Sequence, residues 1–247
     1  MNQSNDPSNP PPIPAALAGT PPPTAPSPDA GLGAILDTLL KRPGLLIRGL
    51  CATPGSRRWL LLAAVAAFML ALYGLVIGSF SGGPQWLAAP LKVSAGGLLS
   101  ALICFPSLYI FVCLTGAEVS LRGIAGVLCA MLTLTGLLLL GFAPVAWVFS
   151  QSTDSMVFIG ALHLAIWSIA TWFGLRLFGH MTKVLGVADR THLKVWMGIF
   201  VLVCLQMTTA LRPIIGTSPQ WLPTEKKFFV AHWIENFSSA ALPRSAN

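Results

Sequence analysis

"WLLLAAVAAFMLALYGLVIG", residues 59–78, decides the fold class. Twenty consecutive residues carry no charge, and apolar side chains fall on every face of the helix they would form. A helix on a soluble domain keeps a polar side, whereas one that is apolar all round must be buried or lie in lipid. About 20 such residues span the roughly 30 Å of bilayer hydrocarbon. Trp59 opens the run, where an aromatic ring suits the headgroup level. Of the 247 residues, 54% are hydrophobic and 9% charged, with a mean hydropathy of +0.72. Soluble domains carry about 25% charged residues. A chain this apolar cannot cover itself in water, so lipid must solvate most of it.

Working outward, four more runs of this kind follow, near 94–116, 123–149, 156–178 and 193–211. The third is long enough to tilt, or to bend at Pro144. The expected fold is all-α: a polytopic bundle of about five transmembrane helices, residues 59–216. No internal repeat of the transporter type stands out, and five spans do not divide into inverted halves.

The formal charge of +7 would point to nucleic acid in a soluble protein. Here the basic residues flank apolar runs, which is the pattern of headgroup anchoring and topology control, so no nucleic-acid partner is expected. Lys41, Arg42, Arg48, Arg57 and Arg58 precede the first span, and Arg176, Lys183, Arg190 and Lys194 surround the 4–5 loop. Lys92 is assigned to the 1–2 loop and Arg122, beside Glu118, to the 2–3 loop. With five spans, the N-terminus and the 4–5 loop share a side, expected to be cytoplasmic. Arg212, Lys226, Lys227 and Arg244 fall on the other side and dissent, with less weight than the early flanks.

Residues 1–32 are rich in Pro, Ala and Ser, without apolar periodicity. They are expected to form a disordered tail, available to a cytoplasmic partner through "PPPIP" or "PPPTAP". Residues 33–58 read as basic amphipathic helices on the membrane surface, broken at Pro43-Gly44. Residues 217–247 carry Trp221, Phe228, Phe229, Trp233 and Phe237 among charges and read as an interfacial aromatic tail.

Polar groups at membrane depth are the first places to look for function. His163 is the one histidine inside a predicted span. A proton relay or metal ligand would need partners, yet no second histidine lies one turn away; the plainer reading is a hydrogen bond to a neighbouring helix. Thr133, Thr135, Ser168, Thr171, Gln206, Thr208 and Thr209 share that reading. Pro106 interrupts the second span, and Ser107 is placed to satisfy a freed carbonyl. Glu118 reads as an interfacial partner of Arg122, four residues on. In "CLQMTTALRPIIG", residues 204–216, Arg212 and Pro213 read as the outer end of span five, with Gln206 in its last turns. Gly96, Gly97, Gly123, Gly126, Gly136 and Gly141 permit close helix approach, in a compact bundle or a homo-oligomer. Of five cysteines, Cys104, Cys113, Cys129 and Cys204 lie in apolar runs and behave as small hydrophobes. Cys51 precedes the first span; its plainer reading is an ordinary interfacial cysteine, with reversible palmitoylation the alternative. No nucleophile–base set, phosphate loop or metal motif can be assembled, so neither enzymatic activity nor a cofactor is expected.

The order of features resembles the Yip-type membrane protein class: a proline-containing N-terminus, a basic amphipathic lead-in and five spans. "ALYGLVIGSFSGGPQWLAAPLKVSAGGLLSALICFPSLYIF", residues 71–111, followed by "LRPIIG", residues 211–216, is also similar to an uncharacterised group of bacterial multi-pass proteins. The resemblance covers roughly residues 45–235 and defines no catalytic residue. It implies a bacterial inner-membrane location and a role in membrane organisation. The expectation is a scaffold or subunit of a membrane complex with membrane-protein partners. The alternative is a small transporter or channel-like permease, with a path near His163, Gln206 and the Pro106 kink.

Overall fold

The computed structural model describes residues 31–52, 57–81, 85–117, 119–153, 155–187 and 191–210. These form seven helices, with no strand among them: α1 (Leu32–Lys41), α2 (Pro43–Ala52), α3 (Arg58–Ser81), α4 (Gln85–Leu114), α5 (Leu121–Ser152), α6 (Met156–Val184) and α7 (Thr191–Ala210). The last five are each long and apolar enough to cross a membrane. The chain is an integral membrane protein built as an all-α bundle of five spans. At a 1.5 Å rise, the 32 residues of α5 extend about 48 Å. That exceeds the roughly 30 Å of hydrocarbon, so α5 tilts or projects beyond it.

Three boundaries differ from the sequence reading. Leu32, assigned to the N-terminal tail, already begins α1; the rest of that tail, residues 1–30, lies outside the described residues, as does the C-terminal tail 217–247. The fourth span continues beyond 178 to Val184. The second begins at Gln85 rather than 94, which brings Pro90 and Lys92 inside α4. Charge and proline suggested a loop, yet the backbone stays helical. Gly74 of α3 allows this fit: a Cβ built there would lie 2.5 Å from Pro90 Cα, so the two backbones touch.

α3 packs most extensively on α5 and then on α4, while α6 lies against α5 and α7 against α4. Small residues line these seams. A Cβ on Gly136 would meet Met69 Cβ at 3.0 Å, and one on Gly174 would collide with the Thr135 hydroxyl. At the end where α3 begins, α1, α2 and all five spans contribute to one apolar core around Leu46, Leu108, Met131, Phe178 and Trp196. Toward the opposite end a second cluster forms from α3, α5 and α6, with Val93 of α4 against it.

The α1–α2 pair carries a finding of its own. Leu46 and Ile47 are fully buried, and α2 packs on both α5 and α6. Their apolar face, expected to rest on lipid, is covered by protein. The pair caps the beginning of α5 and the end of α6. Cys51 sits in this seam, where a Cβ on Gly123 would meet its Sγ at 2.9 Å. Burial pushes the Cys51 thiol up from its ordinary range, which disfavours the thiolate that acylation would need.

Candidate functional site

Two interhelical junctions hold the polar side chains that matter most. The first joins α4 to α7. Pro106 cannot donate a backbone hydrogen bond, and Ser107 follows it. The Ser107 hydroxyl donates to the Cys104 carbonyl at 2.8 Å. Trp196, fully buried, directs its indole N–H at the same carbonyl (3.1 Å) and at Ser107 Oγ (3.2 Å). Its ring stacks on Phe200 at 5.4 Å between centroids and lies 5.1 Å from Phe178 of α6. The Ser107 hydroxyl and the Trp196 indole thus bond to protein groups, and the junction ties three helices together.

The second joins α3 to α6. Tyr73 is 2% exposed and His163 6%. The Tyr73 hydroxyl and His163 Nδ1 lie 2.8 Å apart, with the rings edge-on at 5.6 Å. If Tyr73 donates, His163 carries its proton on Nε2; if Nδ1–H donates, Nε2 is a bare acceptor. In either tautomer Nε2 has a further hydrogen-bonding position, and it is buried without a partner among the described residues. An unmet buried polar group costs about 1–3 kcal/mol. The residues around the pair are apolar, among them Leu70, Ile77, Leu139 and Ile166.

His163 lies seven residues into α6, Tyr73 eight residues before the end of α3, and Lys92 seven residues into α4. All three are about 10–12 Å in from the same end of the bundle. Lys92 is 6% exposed. Lys92 and Tyr73 were not among the sequence candidates. Lys92 was read as a loop residue because its charge looked like a boundary; the apolar "WLAAP" before it, residues 86–90, was the available signal. Tyr73 is one of two tyrosines in the chain and falls within an otherwise apolar span, which could have marked it.

The other sequence candidates separate from this pair. Gln206 is half-buried on α7, whose main contacts are with α4. Glu118 and Arg212 lie outside the described residues, so neither the Glu118–Arg122 pairing nor the anchoring of Arg212 is on view. Thr133 donates to Leu62 O of α3 and to Cys129 O of its own helix, at 2.9 and 2.8 Å. Thr135, Ser168 and Thr208 donate to carbonyls within their own helices. His163 is not the sole histidine on the spanning helices: the longer α6 includes His180, and α7 includes His192, both exposed near the ends. Among the described residues no three His, Cys, Asp or Glu side chains come together to hold a metal ion.

The pair can therefore share a hydrogen bond across two helices and offer one further donor or acceptor. None of the five helices contains an Asp or Glu. No family model, curated protein or solved structure matches the chain.

Proposed function

We propose that this chain is a non-enzymatic scaffold or subunit of a membrane complex. Its role would be membrane organisation of the Yip type, in a bacterial inner membrane with the N-terminus in the cytoplasm. The observation that carries the reading is how the spans use their polar side chains. Thr133, Ser107 and Trp196 close on protein groups and bind helix to helix. Meanwhile α4, α6 and α7 present large apolar side chains outward, including Leu102, Ile110, Trp172 and Leu202. Such surfaces suit lipid or the helices of a partner.

The orientation is supported by charge. Of the ten described lysines and arginines, Lys92 alone belongs to the end where α3 finishes; the other nine belong to the end where α3 begins. Positive residues in short flanks mark the cytoplasmic side. The proline-rich tail would then face a cytoplasmic partner.

Purification from native membranes in mild detergent, with particle mass and co-purifying chains identified, tests this reading. A larger particle with stoichiometric partners supports it. A lone chain or a homo-oligomer undercuts it.

A second reading, a small permease, rests on one observation, the unused Nε2 of His163. Replacing His163 with alanine separates the two. Loss of a transport phenotype with normal amounts of folded protein favours the permease.

A further inference from the structure

The geometry points to a binding site for an anionic phospholipid along α2, formed by Arg42 and Lys183 at one end and Arg48 and Arg122 at the other. α2 packs on both α5 and α6, and close approaches at residues near the basic ones place each pair on adjoining helices. A Cβ on Gly44, two residues after Arg42, would lie 3.5 Å from Val184 of α6, the neighbour of Lys183. A Cβ on Gly123, the neighbour of Arg122, would lie 2.9 Å from Cys51 Sγ, three residues after Arg48. All four basic side chains are exposed. α2 itself is ten residues, about 15 Å, long.

Their charge is not cancelled by the described surroundings. α2, α5 and α6 contain no carboxylate, and Asp37 of α1 is bound to Lys41 at 2.6 Å. Glu118 and Asp189 lie outside the described residues. Apolar surface adjoins the basic groups: Leu40 is 55% exposed beside Lys41 and Arg42, and Leu121 is 52% exposed beside Arg122. A soluble polyanion would use the charges and leave these side chains uncovered. A phospholipid uses both, with its phosphate on the guanidinium and ammonium groups and its acyl chains along Leu40 and Leu121. Arginine is the better phosphate partner because its fork can form two parallel hydrogen bonds. The site needs neither the scaffold reading nor a particular sidedness, so it stands or falls separately.

The test is native mass spectrometry of the full chain in phosphatidylcholine-containing micelles titrated with phosphatidylglycerol. Each basic residue near an anionic surface contributes about fivefold in affinity, so Arg48→Gln/Arg122→Gln should weaken phosphatidylglycerol retention about 25-fold. A control with the same change in net charge, Arg176→Gln/Lys194→Gln, should lose about fivefold or less, because its charges act only at a distance. Unchanged thermal unfolding of each variant in phosphatidylcholine alone shows that the fold is intact; if the first pair unfolds, Arg48→Lys with Arg122→Lys replaces it and should retain intermediate affinity. Equal losses in both pairs would overturn the site in favour of diffuse charge. So would retention of phosphatidylcholine as strong as that of phosphatidylglycerol, or displacement of the lipid by inorganic pyrophosphate.

Discussion

The α4–α7 and α3–α6 junctions make an instructive pair. Both place an aromatic or heteroaromatic side chain of a late helix against an early one, within otherwise apolar surroundings. At Trp196 the donor is used twice, on Cys104 O and Ser107 Oγ, and the ring is clasped by Phe178 and Phe200. At His163 one nitrogen meets Tyr73 and the other meets no partner among the described residues. The first arrangement is what a purely architectural contact looks like. The second carries an unmet polar group that packing alone would not select. Location matters too: Trp196 belongs to the core shared by all seven helices, whereas the Tyr73–His163 pair adjoins the smaller cluster of α3, α5 and α6.

Substitutions should separate the two junctions in order of size. Trp196→Ala removes a large, fully buried ring and should cost about 3–5 kcal/mol, read as a large drop in the thermal midpoint of the purified protein. Gly74→Ala forces a methyl toward the Pro90 backbone, which cannot yield as a side chain would. It should cost about 1–3 kcal/mol and loosen α3 from α4 next to the Tyr73–His163 pair; an unchanged midpoint would show that the backbones are farther apart. Trp196→Phe keeps most of the stack but loses the indole hydrogen bonds, for about 1 kcal/mol. The double variant Tyr73→Phe/His163→Leu removes both polar partners together and should change stability by less than about 0.5 kcal/mol, or raise it. A double-mutant cycle across Tyr73 and His163 should give a coupling near 0.6 kcal/mol, the usual size for hydrogen bonds between membrane helices. A coupling several times larger would make this junction as architectural as the other and erase the contrast.

How much of this was legible beforehand follows from the physics of each element. The five spans were readable because uninterrupted apolar runs near 20 residues have few alternatives. The start of α4 was not, because Lys92 looked like a flank and Pro90 like a breaker; only Gly74, on another helix, explains how Pro90 fits. His163 was visible as an odd polar group within a span. Its partner Tyr73 was not, since 90 residues separate them and no local pattern connects them. Trp196 sits five residues into α7, where an interfacial ring is also expected, so its role at Pro106 was hidden. The amphipathic face of α1 and α2 was plain, but a stripe of Leu and Ile does not say whether lipid or protein will cover it. Ser107 was expected to satisfy the carbonyl that Pro106 frees, which is Leu102 O, four residues back; its hydroxyl donates instead to Cys104 O.

The most direct test of the scaffold reading compares particle mass and chain composition for the wild type and Tyr73→Phe/His163→Leu, each taken from native membranes in mild detergent. The account predicts the same larger particle, with the same stoichiometric partners, from both. A single chain or homo-oligomer from the wild type would contradict it, and loss of a transport phenotype in a normally folded variant would favour the permease instead.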